Sequence, residues 1–140
     1  YSSEGVVMKK LVCIEDGKLK NMHANCRYAY YLGMKPTGVY SKISVQPGDM
    51  SFDDMKAHKG LYVVNFSDFQ MDSLSGFFGG EIRLAYYNDG EKIVPVTGGS
   101  VNGTIIDAQK DFEFSKETQE TSTFAGPKAI LLKDISVAGK

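Results

Sequence analysis

The segment spanning residues 80–104 constrains the fold of this chain more than any other stretch. Over residues 82–87, successive side chains alternate with the two-residue period of a strand that buries one face. Residues 88–90 accept positive φ, and residues 93–96 supply an apolar return strand, so the pattern predicts an antiparallel hairpin. Pro95 has no N–H to donate, which places the return strand at an edge or a bulge. The side chains expected on the buried face are Ile82, Leu84 and Tyr86.

Strand and turn signals recur along the rest of the chain, and helical signals occur only twice. Asn25 and Ser51 suit the N-caps of two short helices, at about 26–32 and 52–59, and a glycine follows each. The predicted strands are residues 6–14, 19–23, 39–45, 61–66, 105–106, 129–132 and 135–137. Residues 67–80 are predicted to be a loop, and residues 107–123 either an extended hairpin or a mobile excursion. We predict a single domain, residues 1–140, of the α+β class and dominated by β-structure, as a mostly antiparallel sheet or a barrel-like array of hairpins.

Composition limits the classes of partner. The 140 residues carry a net charge of −1 and no basic stripe, so the electrostatic footprint of a nucleic-acid-binding protein is missing. No apolar run approaches the ~20 residues that span a bilayer, and no secretory signal opens the sequence. Cys13 and Cys26 do not form a disulfide framework, so we expect a cytoplasmic protein without nucleic-acid or membrane partners. The chain lacks an initiator methionine, and we interpret it as a fragment of a longer protein.

Residue types that carry catalysis are sparse. His23, Cys26 and His58 could bind a metal, but zinc motifs normally show a matched second pair, which is missing here. The alternative is a histidine at a strand end and a buried cysteine. Asp53 and Asp54 are adjacent on a predicted helix, so their carboxylates point to different faces and suit the helix N-terminus better than catalysis. We therefore predict no catalytic residue and no metal site.

Several segments resemble, in serial order, the C-terminal domain of the TldD/PmbA family. Residues 27–38 are similar to the family's Arg-Tyr … Leu-Gly-Met-x-Pro-Thr-Gly segment, which is the most specific of these matches. Residues 46–63 resemble its Pro-Gly-Asp-x-Ser-Phe and Gly-Leu-Tyr-Val steps, and residues 80–104 resemble its strand, short turn and Ile-x-x-Pro-Val segment. Residues 75–80 depart from the family's Thr-Gly-Asp-Phe-Ser segment, and residues 107–127 have no clear counterpart, so a metal-free branch stays open.

The resemblance implies a parent protein that acts as a peptidase on peptides or unfolded proteins. The family is associated with peptide maturation and carries the older label modulator of DNA gyrase. Its metal-bearing branch has a His-Glu-x-x-x-His motif upstream of this domain and a cysteine ligand near the C-terminus, and the glutamate would be the general base toward metal-bound water. This chain has neither element. We therefore expect no activity in the fragment alone, and zinc in the parent protein if it belongs to the metal-bearing branch.

The resemblance also implies a structural role, in which the domain supplies a wall and a strand edge to a substrate chamber and a peptide adds as an extra strand. The residues expected to contact peptide or line the chamber are Phe69, Phe77, Phe78, Gly79, Gly80, Glu81 and Arg83. One alternative is a non-catalytic module for homo- or hetero-oligomerisation or partner binding, with residues 93–96 as its seam. Another alternative is an unrelated β-rich domain.

Overall fold

The computed structural model describes residues 1–139 as a β-dominated α+β chain with several antiparallel sheets. The described strands close no barrel, so of the two predicted architectures the open antiparallel sheet is confirmed. In chain order the elements are β1 (Ile14–Glu15), β2 (Lys18–Leu19), α1 (Cys26–Leu32), β3 (Ile43–Ser44), α2 (Phe52–Ala57), β4 (Gly60–Met71), β5 (Phe77–Asn88), β6 (Ile93–Val96), β7 (Ser100–Thr104), α3 (Ile105–Ala108), β8 (Glu113–Phe114), β9 (Thr118–Glu120), β10 (Phe124–Pro127), β11 (Ile130–Leu131) and β12 (Ser136–Ala138).

The largest sheet is built on the β4–β5 hairpin, whose strands have twelve residues each. Its strand order is β12–β7–β5–β4, and β6 also pairs with β5. The predicted hairpin at residues 82–96 is confirmed, because Tyr86 pairs with Pro95 and Asn88 with Ile93. Among the described strands β6 has β5 as its only partner, which is the edge position that a proline tolerates.

The loop predicted at residues 67–80 is wrong, because both strands of the long hairpin run into it and only residues 72–76 turn. The Asp72 carboxylate accepts hydrogen bonds from the Leu74 N–H at 3.0 Å and the Ser75 hydroxyl at 2.6 Å. Gly76 adopts a φ of +72°, which favours glycine. The strand continues through Gly80, which pairs with Phe69 on β4 and with Val101 on β7. The Phe66 ring lies where a Gly80 side chain would be, 2.7 Å from an ideal Cβ.

The core of this sheet is formed by Ile82, Ala85 and Val101. The predicted alternation of buried and exposed side chains is therefore right at Ile82 and wrong after it, where Ala85 is buried in place of Leu84 and Tyr86. Leu84 is 38% exposed, and Tyr86 is exposed as well. The pairing of β4 with β5 shifts register between Val63 and Asp68, and each bulge changes which face the following side chain occupies. Partly buried side chains packed against this core are Leu61, Val63, Phe66, Val96 and Ile135.

The helices are short and capped by their own sequence. The Asn25 side chain accepts the Tyr28 N–H, and α1 spans the residues predicted for it. Ser51 caps α2, which ends at Ala57, two residues before the predicted end, because His58 is already extended. The strand predicted at residues 105–106 is wrong, since a third helix, α3, begins there with its Asp107 N–H bonded to the side chain of Thr104.

Smaller sheets complete the chain, with orders β1–β2, β3–β10–β9 and β11–β8. The strands predicted at residues 6–14, 19–23 and 39–45 are reduced to two-residue segments. The residues divide into two compact units, which we call the first unit (residues 1–43 with 122–124) and the second unit (residues 44–121 and from 125 onward). None of the helices in the described part of the chain has the length and apolar character needed to cross a membrane.

Candidate functional site

The seven predicted contact residues lie on the long hairpin but on two faces of its sheet. Along β5, Phe78, Gly80 and Ile82 are buried, and the residues between them are partly or fully exposed. Phe69 pairs with Gly80 across the hairpin and therefore belongs to the same inner face. The outer face carries Phe77, Gly79 and Glu81, with the exposed Arg83 beyond them. The structure thus does not bring the seven residues together on one surface.

The inner face ends in a row of aromatic rings. The ring centroids of Phe66 and Phe69 lie 5.1 Å apart, and those of Phe69 and Phe78 lie 6.2 Å apart in a stacked arrangement. Phe78 is only 5% exposed, whereas Phe69 remains 51% exposed. Gly80 makes this row feasible, because both neighbouring rings occupy the space of its missing side chain. Phe78 is therefore a packing residue, and Phe69 is the aromatic side chain of this row that a ligand could reach.

The outer face holds a shallow groove of about 360 Å³ across three adjacent strands. Gln70 on β4 lies opposite Gly79 on β5, which in turn lies opposite Asn102 on β7. Because outward side chains recur every two residues, a second row lies beside this one. That second row consists of Asp68, Glu81 and Ser100. The Phe77 side chain is half exposed and borders the groove on β5, two residues before Gly79. We call this surface the outer-face groove.

Sequence reasoning missed the groove residues on the strands that flank β5. Asp68 and Gln70 fell within the predicted loop, and Ser100 and Asn102 were not singled out. The signal that could have found them is the alternation itself. Once residues 67–71 and 77–81 are taken as paired strands, Asp68, Gln70, Gly79 and Glu81 follow as one face.

The charge of the groove comes from two acidic residues at directly opposite strand positions, Asp68 and Glu81. The Gln70 side-chain amide donates to the Asp68 carboxylate at 3.0 Å. No ion pair between described residues involves either acid. Like charges directly opposite on neighbouring strands are unfavourable.

The outer edge of β4 carries a second feature that a chain could use. No described strand pairs with that edge, although β4 is twelve residues long. Register irregularities occur before Asp68, but the pairing is regular from Asp68 to Met71. A regular strand edge presents alternating N–H and C=O groups to any extended segment beside it. The edge and the outer-face groove share Asp68 and Gln70.

The residues weighed as metal ligands are occupied in other ways. The His23 ring contacts the Tyr40 ring edge-to-face at 5.1 Å, and His58 Nδ1 lies 2.9 Å from the Asp54 carbonyl oxygen. Cys26 is an exposed free thiol, and partial desolvation together with the Glu4 carboxylate raises its pKa. Within residues 1–139, no group of three or more His, Cys, Asp or Glu side chains could hold a metal ion. These residues do not fit a metal site.

Together the fold and this surface define a class: an antiparallel β-rich domain with an open strand edge and a polar groove beside it, without a metal-ligand set among its described residues. Such edges bind extended peptide segments in many proteins. The chain belongs to the family described as the PmbA/TldA metallopeptidase C-terminal domain, whose model matches residues 1–139. The predicted resemblance is therefore confirmed.

Two relatives illustrate the family. A protein named metalloprotease from Methanothermobacter thermautotrophicus is 27% identical over 128 residues, which cover 81% of this chain and 28% of that protein. A crystal structure from Thermotoga maritima MSB8, described as a candidate modulator of a DNA gyrase, shares the fold with a TM-score of 0.74 at 18% identity. That match covers 99% of this chain and 35% of the other. The chain thus spans about a third or less of the length of either relative.

Proposed function

We propose that this domain forms part of the substrate chamber of a TldD/PmbA-type metallopeptidase, and that it holds extended peptides or unfolded segments for maturation or degradation. The observation that carries the proposal is the unpaired edge of β4 in a chain that belongs to a metallopeptidase family. Backbone hydrogen bonds along a strand edge are the same for every sequence. They suit an enzyme that must accept varied peptides.

The hydrolytic chemistry would come from other segments of the parent protein. A bound zinc ion would supply an activated water molecule and polarise the scissile carbonyl group. The donor groups described here do not assemble into a ligand set, so this domain contributes binding and orientation only. The chain alone is accordingly expected not to hydrolyse peptides, with or without added zinc. Zinc-dependent cleavage by the purified 140-residue chain would contradict this division of roles.

Peptide addition to the edge can be tested with N-methylated peptides. An extended octapeptide is titrated into the ¹⁵N-labelled chain, and amide shifts of residues 68–71 are followed. Because only alternate peptide N–H groups face the protein in an antiparallel or parallel pair, N-methylation at alternate positions should abolish binding in one register and spare it in the other.

A matched control is the same peptide N-methylated at the spared positions, which keeps the same number of methyl groups. Affinity that falls equally for both methylation patterns would show binding through side chains rather than through a strand edge. The absence of binding by any extended peptide at millimolar concentration would remove the proposal for this domain.

Oligomerisation is the second candidate function, and exposed apolar residues on the other outer strands favour it. Ile93 on β6 and Val137 on β12 are both more than half exposed. Sheet edges of this kind can pair between copies or with another family member. Light scattering over a concentration series tests this, because a chain that stays monomeric at high concentration would count against a homo-oligomeric seam. The double variant Ile93→Lys with Val137→Lys should shift any dimer toward monomer.

We also propose that the parent protein is cytoplasmic. Both cysteines are free thiols, and disulfide-bonded frameworks are the usual sign of an oxidising compartment. Cell fractionation of the tagged parent protein tests the location. Recovery in a secreted or membrane fraction would contradict it.

A further inference from the structure

We infer that the outer-face groove recognises a cationic side chain of the bound peptide, with arginine as the preferred residue. This inference rests on the proposed function and adds a substrate preference to it. The strand edge would be indifferent to sequence, whereas the groove beside it is not. The two features share Asp68 and Gln70, so one peptide can use both.

The shape of the groove comes from a missing side chain. Gly79 occupies the central position of its row, between Gln70 on one strand and Asn102 on the other. Its backbone is not in the positive-φ region, and an added Cβ would meet the Phe77 ring at 3.5 Å and the Val101 carbonyl oxygen at 3.7 Å, both of which are ordinary contacts. The fold therefore does not require glycine at this position. Its absence of a side chain leaves a depression that a ligand side chain can enter.

The charge of the groove selects the ligand. Asp68 and Glu81 face each other across neighbouring strands, and no described cation forms an ion pair with either. Two acidic side chains at directly opposite strand positions repel each other, and a positive group placed between them relieves that repulsion. The same two groups would repel a phosphate or an acidic peptide. Charge complementarity thus favours a cation and disfavours nucleic acid.

The lining favours a guanidinium group over an ammonium group. Phe77 is half exposed at the groove margin, and a planar guanidinium can stack on an aromatic ring while its N–H groups point to carboxylates. The amide oxygens of Gln70 and Asn102 provide further acceptors in the adjacent row. A lysine ammonium can form the ion pair but lacks the fork geometry that reaches two carboxylates at once.

The test compares two peptides of identical length and shape. One extended octapeptide carries a central arginine, and the other carries citrulline, which is isosteric and uncharged. Binding to the 140-residue chain is measured by isothermal titration at low and moderate salt. We expect the arginine peptide to bind on the order of fivefold more tightly, with the difference shrinking as salt rises.

Three single variants locate the effect. Asp68→Asn and Glu81→Gln should each remove most of the difference between the two peptides, and Gly79→Val should weaken both peptides by filling the depression. Glu91→Gln is the matched control, because it removes one negative charge from an exposed turn outside the groove. It should leave the difference between the peptides unchanged. Thermal melting of every variant checks folding, and loss of either groove carboxylate should not lower the melting temperature.

The outcomes separate this inference from the proposed function. Equal binding of the arginine and citrulline peptides would overturn the cationic preference and leave the strand-edge function standing. A preference that Glu91→Gln reduces as much as Glu81→Gln would show general charge attraction and would also overturn the assignment to the groove. Failure of both peptides to bind would overturn the inference together with the function on which it rests.

Discussion

The long hairpin and the first unit show two different ways in which this chain keeps its structure. In the hairpin, two twelve-residue strands pair along their length, and Ile82 and Ala85 pack with Val101 of β7 in a common core. In the first unit, the buried hydrophobic side chains are those of Ala24 and Ala29, and much larger apolar side chains are exposed. Burial of a large apolar side chain contributes about 1.5–3 kcal/mol, and an alanine far less. The first unit therefore relies on caps, turns and hydrogen bonds among its own residues, such as those between Ala24 and Thr37, and the second on packing.

The largest loss of stability is expected where the hairpin is packed most closely. Gly80→Val should lower the free energy of unfolding of the second unit by about 3 kcal/mol, because the new side chain must displace the rings of Phe66 and Phe69. Urea denaturation followed by aromatic fluorescence measures this. Tyr30→Ala in the first unit, at a side chain 83% exposed, should change stability by less than about 0.5 kcal/mol.

The neighbouring glycine supplies the control for this substitution. Gly79→Ala adds a Cβ that meets nothing closer than the Phe77 ring at 3.5 Å, so it should be neutral or stabilise by up to about 1 kcal/mol. Equal losses from Gly79→Ala and Gly80→Val would mean that backbone freedom, and not ring packing, decides the effect. The contrast between packed and local stabilisation would then fail at its strongest point.

A smaller loss of stability is expected when a helix cap is removed. How far that loss extends beyond the helix should differ between the two units. Asn25→Ala removes the side chain that accepts the Tyr28 N–H and should cost about 1 kcal/mol in α1. Because the first unit buries no large apolar side chain, we expect the lost stability to appear as local opening of α1. Hydrogen exchange of α1 amides should accelerate about fivefold, while exchange at Ile82 stays unchanged.

Ser51→Ala is the matched cap variant in the second unit. A distant carboxylate also holds each helix start, since Glu117 accepts the Phe52 N–H at 2.7 Å in α2 and Glu4 accepts the Cys26 N–H at 3.0 Å in α1. The two helices differ in the side chain that they bury, which is Met55 in α2 and Ala29 in α1. Exchange should therefore rise less in α2 than it does in α1. Faster hydrogen exchange throughout the second unit after Asn25→Ala would mean that the lost cap destabilises more than α1. That result would contradict the comparison between the two units.

Sequence patterns located the elements whose signals are local. Asn25 and Ser51 specified helix starts through side-chain caps, and the turn at residues 88–90 specified a hairpin through its backbone preferences. The family resemblance rested on such segments as well, and the domain match over residues 1–139 agrees with it. Thr104 and Asp107 carried an equally local cap for α3, which the apolar pair at residues 105–106 obscured.

The elements that depend on distant partners were predicted less well. Gly79 and Gly80 suggested a loop, because nothing nearby shows that Phe66 and Phe69 would fill the space above Gly80. The bulges between Val63 and Asp68 shifted the face of β5 and reversed the expected burial of Leu84. The groove residues of the candidate site were missed for the same reason. Its outward residues come from three strands, and their neighbourhood is fixed by register rather than by sequence proximity.

The smallest effect we expect is electrostatic and confined to the exposed end of α3. The Lys110 ammonium, at 2.9 Å, and then the Thr104 hydroxyl hold the pKa of Asp107 below its ordinary value. A lowered folded-state pKa means that the ionised form stabilises the helix above the unfolded-state pKa, about 3.9, and that this contribution is lost as pH falls through the folded-state value. Carboxyl shifts in an NMR titration should therefore give Asp107 a low pKa, and Lys110→Gln should move it upward. Asp53, whose pKa is lowered in the same way by Lys56, should not move in that variant. A parallel change at Asp53 would mean that net charge, rather than the local pair, sets both values.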